Sequence, residues 1–303
     1  MWFIIAVSAF FLLAVAALID KYLLTKGKIV PVAFAFYICF GGGLLTSFLV
    51  LFEPQFNYYP INYLTTLLLG GTTLFFGYYF MFWVTARAEV SKSNPLIVCF
   101  IPVVVFFLSL FLGLELVSFR KMIGVFLVVG GGYLLSQVGS ARARLDGKSW
   151  LLVILAGLML GISNVFTKIA YNHLSFLTAF VWLRWVSLLA ALFFVLFSGQ
   201  LGKVLFNNKE KGQNKSKQPW LPFIIGQAAG SLGVIFLQYA IKLGNLILVN
   251  ALNGLQFFFV ILLVYYLSRF YPKILKEDIS PAYFSRKVLW SVILAVGVIF
   301  ILI

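Results

Sequence analysis

The sequence predicts an all-α polytopic membrane protein, with ten transmembrane helices arranged as two inverted five-helix repeats. Three observations predict it. Of 303 residues, 63% are hydrophobic and only 10% are charged, against about 25% charged in soluble proteins. Apolar stretches of about 20 residues, each long enough to cross a hydrocarbon core of roughly 30 Å, recur along the whole chain. Short motifs near the ends of two early spans return five spans later, and an odd period makes the two copies cross the membrane in opposite senses.

The spans lie at roughly 2–19, 30–52, 62–86, 94–114, 121–138, 150–171, 174–198, 219–241, 246–267 and 288–303. The first lacks the basic leading region of a signal peptide and is followed at once by others, so it reads as a retained helix. Most connections are short, which makes consecutive helices antiparallel neighbours. The two longest, Gly199 to Gln218 and Ser268 to Lys287, are polar and Lys-rich and too short to fold alone. Gly157-x-x-x-Gly161, Gly226-x-x-x-Gly230 and the run Gly130-Gly131-Gly132 are expected to serve close helix packing. Cys39 and Cys99 both fall in apolar spans, so no disulfide framework is implied.

The net charge of +15 does not indicate nucleic acid. Of 23 Lys and Arg, 18 lie in odd-numbered connections and only 4 in even ones. That asymmetry is the positive-inside pattern; it puts the odd connections in the cytoplasm and both termini outside. The internal repeat pairs Leu18-Ile-Asp-Lys21-Tyr-Leu with Val165-Phe-Thr-Lys168-Ile-Ala. It also pairs Trp83-Val-Thr-Ala-Arg-Ala88 with Gln238-Tyr-Ala-Ile-Lys242. The boundaries that follow are residues 1–145 and 146–303, with the fifth and tenth helices peripheral.

Thr85-Ala-Arg-Ala-Glu-Val-Ser-Lys-Ser-Asn-Pro-Leu-Ile-Val-Cys-Phe-Ile-Pro102, then Gly113-Leu-Glu115, Ile123-Gly124 and Val129-Gly-Gly-Gly-Tyr-Leu134 resemble the EamA-type repeat of the drug/metabolite transporter superfamily. That repeat has a small-residue junction before helix four, a proline within it, a Gly-Glu pair near its end and a Gly-rich fifth helix. The second copy departs from it. Asn253-Gly254 occupies the proline region, Leu267-Ser268 replaces the Glu, and a basic connection from Arg269 to Lys287 is inserted. The resemblance implies ten helices in two inverted halves, no ATPase, and transport of small metabolites with a lean toward export. Many relatives carry their basic residues on the even connections, the reverse of the distribution here.

Arg184 sits about ten residues into span seven, roughly 15 Å from its start, too deep for easy snorkelling. A charge at the bilayer centre costs roughly 2.5–3.5 kcal/mol on insertion scales. Arg184 therefore reads as a cavity-facing cation for a carboxylate or phosphate, or as a structural Arg capping carbonyls of a broken helix. Lys168 reads as snorkelling or as cavity lining. Asp20 is either a helix-end partner of Lys21 or a proton-coupling carboxylate. His173, the one histidine of the chain, is either interfacial or part of a proton relay. Asn250, Asn253 and Gln256 are spaced by three, on one face of a continuous ninth span. With Asn164 and Gln227 they need a hydrated cavity or another helix as partner. Tyr37 and Trp182 supply aromatic walls or interfacial anchors.

These residues predict a secondary transporter of amino-acid-like or other anionic or zwitterionic solutes, working by alternating access in the plasma membrane. The alternatives are a flippase for a lipid-linked phosphate intermediate and a non-transporting membrane scaffold. No metal, cofactor or catalytic residue is expected, and an enzyme is not. The expected partners are a small-molecule substrate and membrane lipid, with no nucleic acid, and the protein acts as a monomer or a homodimer.

Overall fold

The computed structural model of the chain describes residues 1–25, 30–54, 56–58, 60–87, 90–114, 118–137, 146–206, 220–270 and scattered positions between 286 and 300. The elements among the described residues are all helical. Helix α1 spans Trp2–Thr25. Helix α2, Pro31–Ser47, opens on a proline in its first turn, where the missing N–H costs nothing, and tightens into a 3-10 turn, Phe48–Phe52. A second 3-10 turn, Ile61–Tyr63, leads into α3, Leu64–Arg87. Next come α4, Val90–Phe111, and α5, Phe119–Gln137.

The second half begins with α6, Gly147–His173. Its N-cap is Asp146, whose carboxylate accepts from the Ser149 amide at 3.1 Å. Hydrogen bonds from Ser149, side chain first, hold the Asp146 carboxyl below the usual carboxylate range. The cap is therefore an anion at the positive end of the helix. A tight turn capped by Ser175 leads to α7, Phe176–Phe197, followed by the short α8, Leu201–Phe206, and then α9, Trp220–Leu243. Helix α10, Leu246–Ala251, is capped by Asn245, and α11 covers Gly254–Phe270.

Seven of these helical segments are long and apolar enough to cross a membrane. Shorter apolar stretches, Leu96–Phe111 and Met122–Leu134, stand at the fourth and fifth expected spans. Half of the tenth expected span lies outside the described residues, as do Glu89, Glu115, residues 207–219 and residues 271–285. Gly297, which is described, lies against α5, where a Cβ would meet the Gly124 carbonyl at 2.9 Å.

The continuous ninth span is corrected. Its helix is interrupted at Leu252 and Asn253, and the bonds across the break shorten to three residues: Asn253 N–H to Asn250 O at 3.1 Å, and Gln256 N–H to Asn253 O at 3.0 Å. Asn253-Gly254 explains the break. An Asn side chain competes with the helical backbone, and Gly is the weakest helix former short of proline.

Helix α1 packs along α9, and α6 along α3; α2 lies against α7, and α4 against α6. Glycines set these approaches. A Cβ at Gly157 would stand 2.4 Å from Phe100 Cβ, and one at Gly161 2.7 Å from Val104 Cβ, so this pair seats α6 on α4. Gly226 meets Ile19 in the same way between α9 and α1. Gly130 is different: nothing lies within 4 Å of its would-be Cβ, so that position of the triple-glycine run is not a point of close packing.

Two lysines, Lys168 buried and Lys21 half-buried, close helix ends. The Lys21 ammonium donates to Thr85 O at 2.8 Å, in the last turn of α3. The Lys168 ammonium donates to Ile241 O at 2.9 Å and Gly244 O at 2.7 Å, at the end of α9. A helix leaves its last carbonyls without intrahelical partners, and in a bilayer no water can serve them. Lys168→Met should strand two buried acceptors at about 1–3 kcal/mol each. The expected result is a melting temperature several degrees below wild type in detergent; an unchanged melting curve would show that the cap contributes nothing.

Candidate functional site: a central cavity lined by Arg184

A cavity of about 310 Å³ lies between α1, α2, α3, α4, α6, α7, α9 and the α10–α11 break. That is at the lower end of the volumes that hold small ligands, roughly 300–1,000 Å³. Its wall is largely aliphatic and aromatic. The polar groups that reach it include Asp20, Asn164, Arg184, Gln227, Asn253 and Gln256.

Arg184 enters from α7, between two and three turns past the Ser175 cap. Only 6% of its surface is exposed. Its guanidinium sits over the Phe180 ring, 5.4 Å from the centroid, a favourable cation–π contact. The chain passes α2 at Gly42, where a Cβ would lie 3.7 Å from Arg184 Cδ and 3.8 Å from Nη1. Among the described residues the guanidinium has no carboxylate and no hydrogen-bond acceptor. Asp20 reaches the same cavity from α1, and the two form no ion pair. The site therefore presents a cation and an acid, separated, to one cavity.

Asn164 Nδ2 donates to Asn250 Oδ1 at 2.7 Å, and Asn250 in turn donates to Leu246 O at 2.9 Å. Asn250 stands behind the wall, 1% exposed, and holds Asn164 at the cavity face. The break in the ninth span brings Asn253 and Gln256 to the wall. Asn164, Arg184, Gln227, Asn253, Gln256 and Asp20 thus share one cavity.

The other expected residues lie elsewhere. Lys168 is a helix cap, not part of the wall. The Tyr37 hydroxyl donates to Val204 O at 2.7 Å, tying α2 to α8. Trp182 Nε1 donates to Asn57 O at 3.0 Å, and Trp185 Nε1 to Ser47 Oγ at 2.9 Å, both at the α2–α3 connection. His173 ends α6 with its ring stacked on Tyr63, centroids 4.9 Å apart. None of Tyr37, Trp182 or His173 reaches the cavity. Sequence reasoning missed the polar wall residues Thr46, Thr85 and Ser231. Gln238 carried a signal as an amide within an apolar span, and Tyr171 donates to its Oε1 at 3.3 Å.

The bundle and its cavity define a polytopic membrane protein with an internal solute-sized site. Residues 1–137 match the family model described as EamA-like transporter family. The match covers a little under half of the chain and aligns its first half with membrane transporters of the drug/metabolite transporter superfamily. A solved structure described as "Crystal structure of protein" shares the fold, with a TM-score of 0.66 at 15% identity over 98% of this chain and 94% of that one. No curated protein matches the chain.

Proposed function

We propose that the protein is a secondary transporter of small solutes bearing a carboxylate or phosphate, working by alternating access. The observation that carries the proposal is Arg184, a buried guanidinium facing the cavity with no carboxylate beside it among the described residues. An intramembrane charge without a structural partner defaults to a ligand role.

Two inverted five-helix halves, residues 1–145 and 146–303, supply the moving parts. Paired features support them. The α1–α9 packing mirrors α6–α3, and the Lys21 cap on α3 mirrors the Lys168 cap on α9. The mirror is not exact: α7 is packed against α3, whereas α2 makes no extended contact with α9, and α2 lies more closely on α3 than α7 does on α9. In an inverted-repeat transporter, such an asymmetry is what distinguishes the two access states. Asp20 is positioned to couple transport to protons. The direction is export from the cytoplasm, across the plasma membrane.

Reconstitution into liposomes with a panel of radiolabelled amino acids, carboxylates and phosphate esters tests this. Counterflow of at least one anion or zwitterion is expected, and the absence of any counterflow across the panel would refute it. Orientation follows the basic residues, with the Gly199–Gln218 connection in the cytoplasm. Asn208→Cys in intact cells should therefore resist an impermeant maleimide and react only after permeabilisation. Ready labelling from outside would reverse the orientation and leave the fold as it is.

A further inference from the structure

The cavity is not closed all round. Helices α2 and α9 meet at one end, where the Phe34 and Phe223 rings stand 6.4 Å apart edge to face. Beyond that point they make no extended contact. Yet both continue along the cavity, α2 through Ile38 to Leu49 and α9 through Gln227 to Gln238. Past the two phenylalanines a seam therefore runs between the two helices. Leu45 lies on the cavity wall and is also 61% exposed. In a membrane-spanning helix that outer face meets acyl chains, so the seam leads from the cavity into the bilayer.

Chemistry changes along this path. Helices α6 and α7 and the α10–α11 break give the wall Asn164, Arg184 and Asn253; along the seam α2 and α9 give it Leu45, Leu49, Val234 and Ile235, with Gln227 and Ser231 among them. Two polar side chains of this wall are already engaged: Thr46 Oγ1 donates to Gly42 O at 2.8 Å, and Gln238 accepts from Tyr171. A wholly polar solute bound at Arg184 would leave this apolar, lipid-open seam without a function.

We infer that the substrate is a single-chain amphiphile, with its anionic head at Arg184 and its apolar tail lying along the α2–α9 seam into the lipid. This rests on the transporter reading and narrows its substrate class. The head could be a lipid headgroup or a free phosphate ester, so the test separates the two.

The probe is lysophosphatidate with a fluorophore on its acyl chain, in proteoliposomes, with transbilayer movement read by dithionite quenching. Glycerol 3-phosphate is the tail-less counterpart. Labelled lysophosphatidylcholine is the counterpart without a net anionic head. Wild type should move lysophosphatidate faster than protein-free liposomes and faster than the choline lipid. Arg184→Gln should slow it roughly 30-fold or more, toward the protein-free rate, the loss of one desolvated ionic contact. Leu45→Trp, which fills the seam at an exposed position, should slow it as well; gel filtration and a melting curve establish that both variants fold. Arg184-dependent transport of glycerol 3-phosphate without movement of the tailed probe would overturn the inference and leave the transporter reading standing. Equal movement of both lipids, or movement unaffected by Arg184→Gln, would overturn the head assignment. Movement of neither probe would overturn the inference whatever the metabolite panel returns.

Discussion

Arg184→Gln should abolish transport while leaving the protein at least as stable as wild type. Glutamine keeps much of the length and the hydrogen-bonding capacity but removes the charge. Loss of a desolvated ionic contact to a ligand costs about 2–5 kcal/mol, roughly 30-fold or more in affinity. Stability should move the other way. Among the described residues the guanidinium is met by the Phe180 ring and the cavity, not by a carboxylate. Burial of an unpaired charge is unfavourable, so its removal relieves the folded state. A structural arginine would give the opposite pattern, with a lowered melting temperature and proportionate loss of transport. Transport by counterflow and a melting curve on the same preparation therefore decide between the roles. Normal transport by Arg184→Gln, or a melting temperature several degrees below wild type, would sink the binding assignment.

The sequence made the helices legible because a bilayer demands length and apolarity, which composition records directly. Arg184 was legible for the same reason, as a charge in the middle of a span. The break at Asn253 was harder to see, since hydropathy runs unbroken through Leu246–Arg269 and only Asn-Gly marks it. Lys168 shows a second limit. Its equivalence to Lys21 could be aligned in sequence, but its role depends on α9 ending beside it, a tertiary fact. Tyr37 and Trp182 mark a third. An aromatic in an apolar helix suits the cavity, a neighbouring helix or lipid equally well, and only packing showed that these two bind backbone carbonyls at the edges of the bundle.

The seam between α3 and α7 carries the other large expected effect. Gly71 lies in it with no room for a side chain. A Cβ there would stand 2.5 Å from Val186 Cβ and 2.8 Å from the Leu183 carbonyl oxygen. The oxygen belongs to helical backbone and cannot rotate away, so Gly71→Ala must push α7 off α3. Overpacking of this kind costs about 1–3 kcal/mol, and it falls on the conformation in which this seam is closed. If the two halves rock, the state with α3–α7 open and α2–α9 closed is spared that cost. A bias of about 1 kcal/mol already shifts populations roughly fivefold. Ser231→Cys, on the cavity wall of α9, reports the change, because the native cysteines Cys39 and Cys99 are both buried. Its reaction with a small water-soluble maleimide should slow several-fold when Gly71→Ala is added, as the α2–α9 side closes. If the melting temperature falls while the labelling rate holds, the α3–α7 seam is fixed packing, and rocking about it is excluded.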